Sequence, residues 1–347
     1  MFGWALSPDN RRNLILRVKR RELLAGVALG TAFAAGNAYL WNMAEKSAPK
    51  VFGDEALGEA DSYLDAYTEV GLVDRESPVL IDAQLAAQQT SLSQSQAKAS
   101  IDQEDGLQKS TSVEDRVRNF ENDFSDDIYL PASEQLLLES VVLRLEKVQR
   151  VVGHGHFNVL DFDQLVLYAR SYSSVGAFTP QELDFIEKIY FTQASDYGFL
   201  GTKVTDDLTA AIPRAEIVKI PYSGHYLFKG ESLNYYEKLK QDIGTNVILT
   251  SGIRSNVKQL HLFLSKARAS VYNLSKASRS LAPPGHSYHG IGDFDVGRVG
   301  WGAQNFTNQF AGTDEFKRMQ DLGYVQIRYT EDNRLGVRFE PWHIKVV

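Results

Sequence analysis

SLAPPGHSYHGIGDFDVG at residues 280–297 and FEPWHIKV at residues 339–346 decide how the C-terminal part of this chain folds. The first stretch carries His289 and Asp295 on a glycine-rich turn and the strand after it, and the second brings His343 from a distant strand. A catalytic zinc ion takes three nitrogen or oxygen ligands from the protein and keeps one position open for water. These three side chains therefore predict a zinc site clamped between two segments.

Glu340 is the candidate base beside this site. It lies three residues before His343, and Pro341 between them disfavours a helix at Glu340, so its carboxylate is expected to come from an extended segment or a turn. Zinc lowers the pKa of bound water to about 7, and a positioned base adds about 10² to 10⁴ in rate. The four residues together are sufficient for hydrolysis.

With SGIRSNVKQ at residues 251–259, these stretches resemble the VanY-like D-alanyl-D-alanine carboxypeptidases, a family of zinc peptidases related to phage endolysin peptidases and to the hedgehog domain. The resemblance covers roughly residues 217–347. The family's Ser-Gly-Tyr-Arg-Ser block and its following glutamine correspond to Ser251, Gly252, Arg254, Ser255 and Gln259, with Ile253 in place of the tyrosine. The Pro-Pro-Gly-x-Ser-x-His block corresponds to Pro283, Pro284, Gly285, Ser287 and His289, and Glu-Pro-Trp-His is complete at residues 340–343.

The resemblance implies a role for each matched residue. Zn²⁺ is the implied cofactor, with His289, Asp295 and His343 as its ligands. Glu340 is the implied catalytic base, and Arg254 is expected to polarise the scissile carbonyl. The candidates for contact with substrate are Ser287, Gln259 and Trp342. The implied substrates are the peptides of peptidoglycan.

The metal-binding aspartate departs from the family pattern. The family places it seven residues after the first histidine, where this chain has Val296. Alignment of the following hydrophobic-glycine pair makes Asp295 the ligand, in a turn one residue shorter than usual. Asp293 is the alternative ligand, because side chains two residues apart in an extended segment point the same way. One aspartate can then bind the metal while the other orients a ligand, a supporting role for which His286 is also a candidate.

The N-terminus predicts export. Residues 1–21 form a basic segment that we expect in the cytoplasm, and residues 22–43 form an apolar run long enough to cross a bilayer. This run is either a cleaved signal sequence or a retained membrane anchor, and the sequence leaves that choice open. Both interpretations place the rest of the chain in the periplasm or cell envelope, with membrane contact through the N-terminal segment if it is uncleaved.

Three further regions follow the apolar run. Residues 44–126 are predicted to form an acidic, low-complexity linker, because they offer too little apolar surface to offset the entropy of ordering. Residues 127–213 are predicted to form a helical subdomain. Its first helix follows Pro131, ends at Gly153 and has a periodic apolar face at Leu136, Val141, Leu143, Val148 and Val151. Two more helices are expected, at Asp161–Tyr172 and Thr179–Tyr190.

Residues 214–347 are predicted to form the zinc peptidase domain. The expected fold class is α+β, a small antiparallel sheet with flanking helices carrying the zinc site. The chain has no cysteine, which excludes thiolate ligands, and a net charge of −7, which argues against a nucleic-acid partner.

The leading functional hypothesis is an exported zinc peptidase that hydrolyses peptidoglycan stem peptides, most specifically a D-alanyl-D-alanine carboxypeptidase. The alternative is a catalytically silent zinc domain that binds cell-wall peptide or a partner protein. A third hypothesis is an interaction protein that works through its helical subdomain. The sequence leaves open D,D against L,D specificity, terminal trimming against crosslink cleavage, and the oligomeric state.

Overall fold

The computed structural model of the protein describes residues 112–347. The predicted basic segment, the predicted signal or anchor and most of the predicted linker lie outside these residues. Within the described part, no helix combines the length and apolarity needed to cross a bilayer.

Helices and five short strands make up the described part. The helices are α1 (Val113–Arg118), α2 (Ala132–Val152), α3 (His154–Phe157), α4 (Phe162–Ser171), α5 (Pro180–Phe191), α6 (Glu231–Ile243), α7 (Asn256–Ala269), α8 (Leu274–Ser280) and α9 (Asp314–Asp321). The strands are β1 (Ile217–Lys219), β2 (Tyr226–Phe228), β3 (Val247–Ser251), β4 (Phe294–Arg298) and β5 (His343–Ile344). This mixture of helices and small antiparallel sheets confirms the predicted fold class at that level.

Local signals fix the ends of the helices. Thr179 and Glu182 form a reciprocal capping box at the start of α5, where Pro180 occupies the first turn. Gly153 ends α2 with φ at 80°, a conformation that costs glycine little. The three helices predicted between residues 131 and 190 are therefore confirmed.

The predicted buried face of α2 is wrong in part. Leu136 and Leu143 are 77% and 49% exposed, whereas Leu138 and Leu145 are fully buried. Three consecutive leucines at residues 136–138 fit two phases of a 3.6-residue period, so the sequence pattern alone does not select the buried face. Packing against the other helices selects the phase that buries Leu138 and Leu145.

One hydrophobic core joins the helical segment to the C-terminal segment. Buried side chains of α2, α4 and α5 belong to the same cluster as Leu260, Phe263 and Leu264 of α7 and Ala277 of α8. Because α7 begins right after the Arg254 block, this core holds one wall of the candidate site.

The three-stranded sheet carries the candidate site. Its order is β3-β4-β5, and both pairings are antiparallel. The register sets Asp295 of the central strand opposite Ser251 on one side and His343 on the other. A β-bulge between Leu249 and Ser251 shifts the register just before the Arg254 block. Strands β1 and β2 form a separate hairpin.

The described chain starts with an ordered segment that we call the N-terminal strap, residues 112–127. It contains α1, and its Phe124 is only 3% exposed. Arg279 of α8 donates a hydrogen bond to Asp127 at 2.7 Å, and its guanidinium lies 4.8 Å from the Phe124 ring centroid. These contacts fix the strap against α8, so residues 112–126 of the predicted linker pack against the helices.

The phase of α2 gives the first prediction. Leu145→Ala is expected to lower the free energy of unfolding by about 2 to 5 kcal/mol, because it leaves a cavity in the shared core. Leu143→Ala, on the exposed face of the same helix, is the matched control and should change it by no more than about 0.5 kcal/mol. Chemical denaturation measures both, and equal losses would contradict the observed phase.

Candidate metal centre

Three buried donor atoms converge at the centre of the site. Asp295 Oδ1 lies 3.2 Å from His289 Nε2 and 3.4 Å from His343 Nδ1. The donor atoms of these residues all lie within 4.8 Å of one another, and each residue is at most 3% exposed. His289 lies on a 3-10 turn, Tyr288–Gly290, directly before β4, which carries Asp295. The structure thus brings together the three ligands predicted from the sequence.

The hydrogen-bonding pattern shows that a cation fits between them. His289 Nδ1 lies 2.8 Å from the carbonyl oxygen of Gly252, which can only accept, so Nδ1 carries the proton. Burial, and then the charge of Arg254, lower the pKa of His289 to about 4, so the ring is neutral at pH 7. His289 Nε2 and Asp295 Oδ1 therefore face each other as two buried lone pairs, and neither makes a hydrogen bond within the described residues. A metal ion satisfies both.

Arg254 orients the carboxylate of Asp295. Its Nη2 donates to Asp295 Oδ2 at 2.5 Å, and its Nε donates to Ser251 Oγ at 2.9 Å. With Oδ2 held in this way, Oδ1 faces the two histidines, and the neighbouring positive charges hold the pKa of Asp295 below its usual range despite burial. The contacts of Arg254 are therefore those of a residue that positions a ligand.

Gly252 of the same block lies where no side chain fits. A Cβ at this position would lie 2.1 Å from the carbonyl oxygen of Tyr226. The hairpin strand β2 therefore passes directly over the Ser-Gly block, and only glycine permits this approach.

Asp293 lies on the other side of the His343 ring. Its Oδ2 is 3.1 Å from His343 Nε2, so the ring donates there and presents Nδ1 to the donor group. Arg328 Nε and the backbone N–H of Val346 also donate to Asp293, at 2.7 and 2.8 Å. Asp293 is thus hydrogen-bonded through both oxygens, and its place in the structure is the supporting one.

The surrounding carboxylates set the charge state of His343. Burial disfavours its charged form, but hydrogen bonds with Asp293 and Glu340 outweigh burial and raise the pKa of His343 to about 9. Since Nε2 already donates to Asp293, the proton that titrates lies on Nδ1, the atom directed at the metal donors.

Glu340 lies beside the donor group, on a turn as predicted. Its Oε2 is 3.5 Å from His343 Nδ1, and its backbone carbonyl accepts from the N–H of His343 at 3.1 Å across the turn. Its backbone N–H donates to the carbonyl of Tyr329. The carboxylate is only slightly exposed, so its contacts rather than solvent set its position.

The three residues predicted to contact substrate make contacts within the protein. Gln259 Nε2 donates to the carbonyl of Ala282 at 2.6 Å, which anchors the Pro-Pro-Gly loop to α7. Trp342 is 3% exposed and its ring packs edge-on against Phe306 in the core below the sheet. Ser287 is buried directly before the 3-10 turn that carries His289.

His286 does not support the donor group. Its Nδ1 lies 3.2 Å from the carbonyl of Pro284, and its ring packs edge-on against Phe199. The supporting role that the sequence left open between His286 and Asp293 is occupied by Asp293.

Two functional neighbours were missed from the sequence. Arg328 holds Asp293, and the Tyr329 ring lies 4.9 Å from the His343 ring, edge to face. Both residues reach the site because Ile327 pairs with Ile344 across an isolated bridge. Such a pairing between distant segments has no local signal, so neither residue could be singled out.

Comparison with known proteins supports the family resemblance. Residues 230–347 match the family model described as VanY: D-alanyl-D-alanine carboxypeptidase, which confirms the resemblance for this part of the chain. No curated protein matches the chain significantly.

Among solved structures, three similar proteins are peptidoglycan or vancomycin-resistance peptidases. The LdcB LD-carboxypeptidase is 23% identical, over 39% of this chain and 70% of its own, with a TM-score of 0.34. A mutant of the D,D-pentapeptidase VanY in complex with Zn(II) is 22% identical, over 38% of this chain and 78% of its own, with a TM-score of 0.29. The D,D-dipeptidase VanXYg, in complex with a D-Ala-D-Ala phosphinate analog, is 22% identical, over 35% and 51%, with a TM-score of 0.30.

The donor set fits the metal expected from the sequence. Two imidazoles and one carboxylate are typical ligands of catalytic Zn²⁺. Each histidine has its second nitrogen hydrogen-bonded, which fixes the orientation of the ring as in other zinc sites.

The two aspartates give the second prediction. Asp295→Ala removes a ligand and should abolish tight zinc binding. Asp293→Ala removes only the support of His343 and should weaken zinc binding by about 10- to 100-fold. Competition titration against a chromophoric chelator measures both, with thermal unfolding as the control for folding. Equal zinc retention in the two variants would refute Asp295 as the ligand.

The pKa of His343 gives the third prediction. Because the folded-state pKa is raised from 6.5 to about 9, zinc must displace a proton from His343 at any pH below about 9. Zinc affinity should therefore rise by up to about tenfold per pH unit from pH 6.5 to 9 and then level off. Calorimetry in buffers of different ionisation enthalpy should detect release of about one proton at pH 6, where zinc-bound water keeps its proton. A pH-independent affinity over this range would contradict the assignment.

The same shift affects the metal-free fold. A raised pKa means that the protonated histidine stabilises the folded state, fully below pH 6.5 and progressively less as the pH rises through about 9. The thermal midpoint of the metal-free protein should therefore fall over this interval. Bound zinc should abolish this decrease of the thermal midpoint with pH.

Proposed function

We propose that this protein is a zinc-dependent peptidase that hydrolyses the stem peptides of peptidoglycan, most specifically as a D-alanyl-D-alanine carboxypeptidase. One observation carries the proposal: two buried lone pairs of His289 and Asp295 face each other beside His343, with the Glu340 carboxylate 3.5 Å from the same imidazole. The whole group lies in the part of the chain that matches the VanY family model.

The residues of the site divide the chemistry between them. His289, Asp295 and His343 would hold zinc, which when bound supplies Lewis acidity toward a carbonyl oxygen and lowers the pKa of water. Glu340 accepts a proton from the attacking water through its carboxylate and returns it to the leaving amine. Burial of these groups strengthens their mutual electrostatic interactions and makes proton transfer depend on their fixed geometry.

Arg254 supports this chemistry through Asp295. Two of its N–H groups donate to Asp295 and Ser251, so its observed partners are in the site itself. We assign it to the orientation of the ligand carboxylate; the action on the scissile carbonyl that the resemblance implies stays a prediction.

The location of the protein is part of the proposal. We infer export from the basic prefix and the apolar run, and we place the peptidase on the outer side of the cytoplasmic membrane. The acidic stretch that follows suits a spacer, since a chain of this length lets a tethered domain reach peptides at some distance from the membrane. The substrate and the proposed location agree, and each was inferred from different residues.

The catalytic role of Glu340 gives the fourth prediction. Zinc-loaded protein is incubated with purified muropeptides, some ending in D-Ala-D-Ala and some in a single D-alanine, and mass spectrometry follows the products. Glu340→Gln should reduce hydrolysis by about 10² to 10⁴-fold while zinc stoichiometry stays unchanged. Glu331→Gln, an exposed glutamate nine residues earlier, is the matched control and should retain activity.

The choice of muropeptides separates the possible specificities. Release of D-alanine from the pentapeptide alone supports D,D-carboxypeptidase action, and release from the tetrapeptide indicates L,D action. If the wild-type protein binds zinc and retains muropeptides but releases no product, the catalytically silent alternative holds and the enzymatic proposal fails.

A further inference from the structure

Arg338 contacts the catalytic carboxylate from the side opposite the histidines. Its Nε lies 3.9 Å from Glu340 Oε1, while Glu340 Oε2 is the oxygen nearer to His343. The Nε–H of Arg338 is buried and makes no hydrogen bond within the described residues. The Glu340 carboxylate therefore lies between the His343 imidazole, near Oε2, and the Arg338 guanidinium, near Oε1.

An aromatic clamp holds this guanidinium in place. Its central carbon lies 4.9 Å from the ring centroid of Phe120 and 4.9 Å from that of Trp342. At this distance both rings attract the cation through their faces. Arg338 Nη2 also donates to the carbonyl of Phe306 at 3.0 Å, so the side chain has three separate anchors.

The clamp joins two distant parts of the chain. Trp342 belongs to the Glu-Pro-Trp-His block itself, whereas Phe120 belongs to the N-terminal strap. The strap is fixed to α8 through Asp127 and Arg279, and the carbonyl of Arg279 accepts the backbone N–H of Arg338 at 2.8 Å. The strap thus reaches the catalytic segment both through a ring and through the α8 backbone.

We propose that Arg338 is the positioning residue of Glu340, and that Phe120 of the N-terminal strap holds it in its working orientation. This inference rests on the proposed peptidase function. Arg338 fixes Oε1 of Glu340, which keeps Oε2 beside the metal donors where a proton is transferred. It accounts for the ring contacts on both sides of the guanidinium and for the buried Nε that lies 3.9 Å from the carboxylate.

Two rival roles for Arg338 predict different measurements. A residue that contacts the peptide substrate changes KM when it is replaced, and a residue that only supports the fold changes thermal stability and zinc content. A positioning residue changes kcat, because it alters the geometry of the transition state while ground-state binding is kept.

The experiment compares Arg338→Gln with Arg334→Gln. Arg334 lies four residues earlier on the same segment, is highly exposed and pairs only with Glu114 at 3.4 Å among the described residues, so it is a matched arginine control. Arg338→Gln should lower kcat by about 10- to 100-fold with KM within about twofold, and its zinc content should match that of the control. Arg338→Lys keeps the charge and should recover part of kcat.

A second set of variants tests the strap. Phe120→Leu removes the ring and should lower kcat by a smaller factor than Arg338→Gln, and Phe120→Tyr, which keeps the ring, should lower kcat less than Phe120→Leu. If Phe120 acts through Arg338, Phe120→Leu has no further effect in the Arg338→Gln background. Additive losses in the double variant would refute the coupling to the strap.

The remaining outcomes separate this inference from the proposed function. A kcat of Arg338→Gln equal to that of Arg334→Gln overturns the inference while the peptidase proposal stands. If the wild-type protein is inactive, the proposed function fails, and crystal structures of the wild type and Arg338→Gln decide the inference alone. A Glu340 carboxylate displaced by about 1 Å or more supports positioning by Arg338, and an unmoved carboxylate refutes it.

Discussion

His289 Nε2 and Asp295 Oδ1 are buried acceptor atoms that lie 3.2 Å apart without a hydrogen between them, and the rest of the site depends on this constraint. Unpaired buried polar atoms cost about 1 to 3 kcal/mol each, so a fold keeps them together only when something else holds them or a ligand joins them. Here both conditions apply. Gly252 and Arg254 fix the outer faces of the two side chains, and the gap between their inner faces suits a divalent cation.

This arrangement explains why the neighbouring segments are built as they are. The Ser-Gly block must place a carbonyl against His289 and a guanidinium against Asp295 within three residues, which a regular strand does not allow. The bulge at the end of β3 supplies the change of direction, and Gly252 admits the crossing strand β2. The shared helical core beneath α7 then holds the block still, so helices remote from the chemistry contribute to its geometry.

The sequence predicted what local signals encode. Thr179 with Pro180 marked the start of α5, and the Glu-Pro-Trp-His block identified Glu340 and His343 because four consecutive residues kept their spacing. The phase of α2, the approach of Arg328 to Asp293 and the clamp around Arg338 depend on contacts between residues far apart in sequence. Sequence patterns do not encode such contacts, so Arg328 and Arg338, which lie outside the matched blocks and act through another residue, were missed.

The choice between the two aspartates shows the same limit most sharply. Asp293 directly precedes β4 and Asp295 lies within it, two residues on, so the period of an extended segment gives them the same direction and cannot rank them. In the structure, each aspartate faces a different nitrogen of the His343 ring. His343 turns Nδ1 toward Asp295 and Nε2 toward Asp293, and Arg328 with the backbone of Val346 saturates the latter carboxylate. A carboxylate already hydrogen-bonded on both oxygens offers less to a metal than one with a bare oxygen. The register of β4 against β5 therefore pairs Asp295, rather than Asp293, with His343.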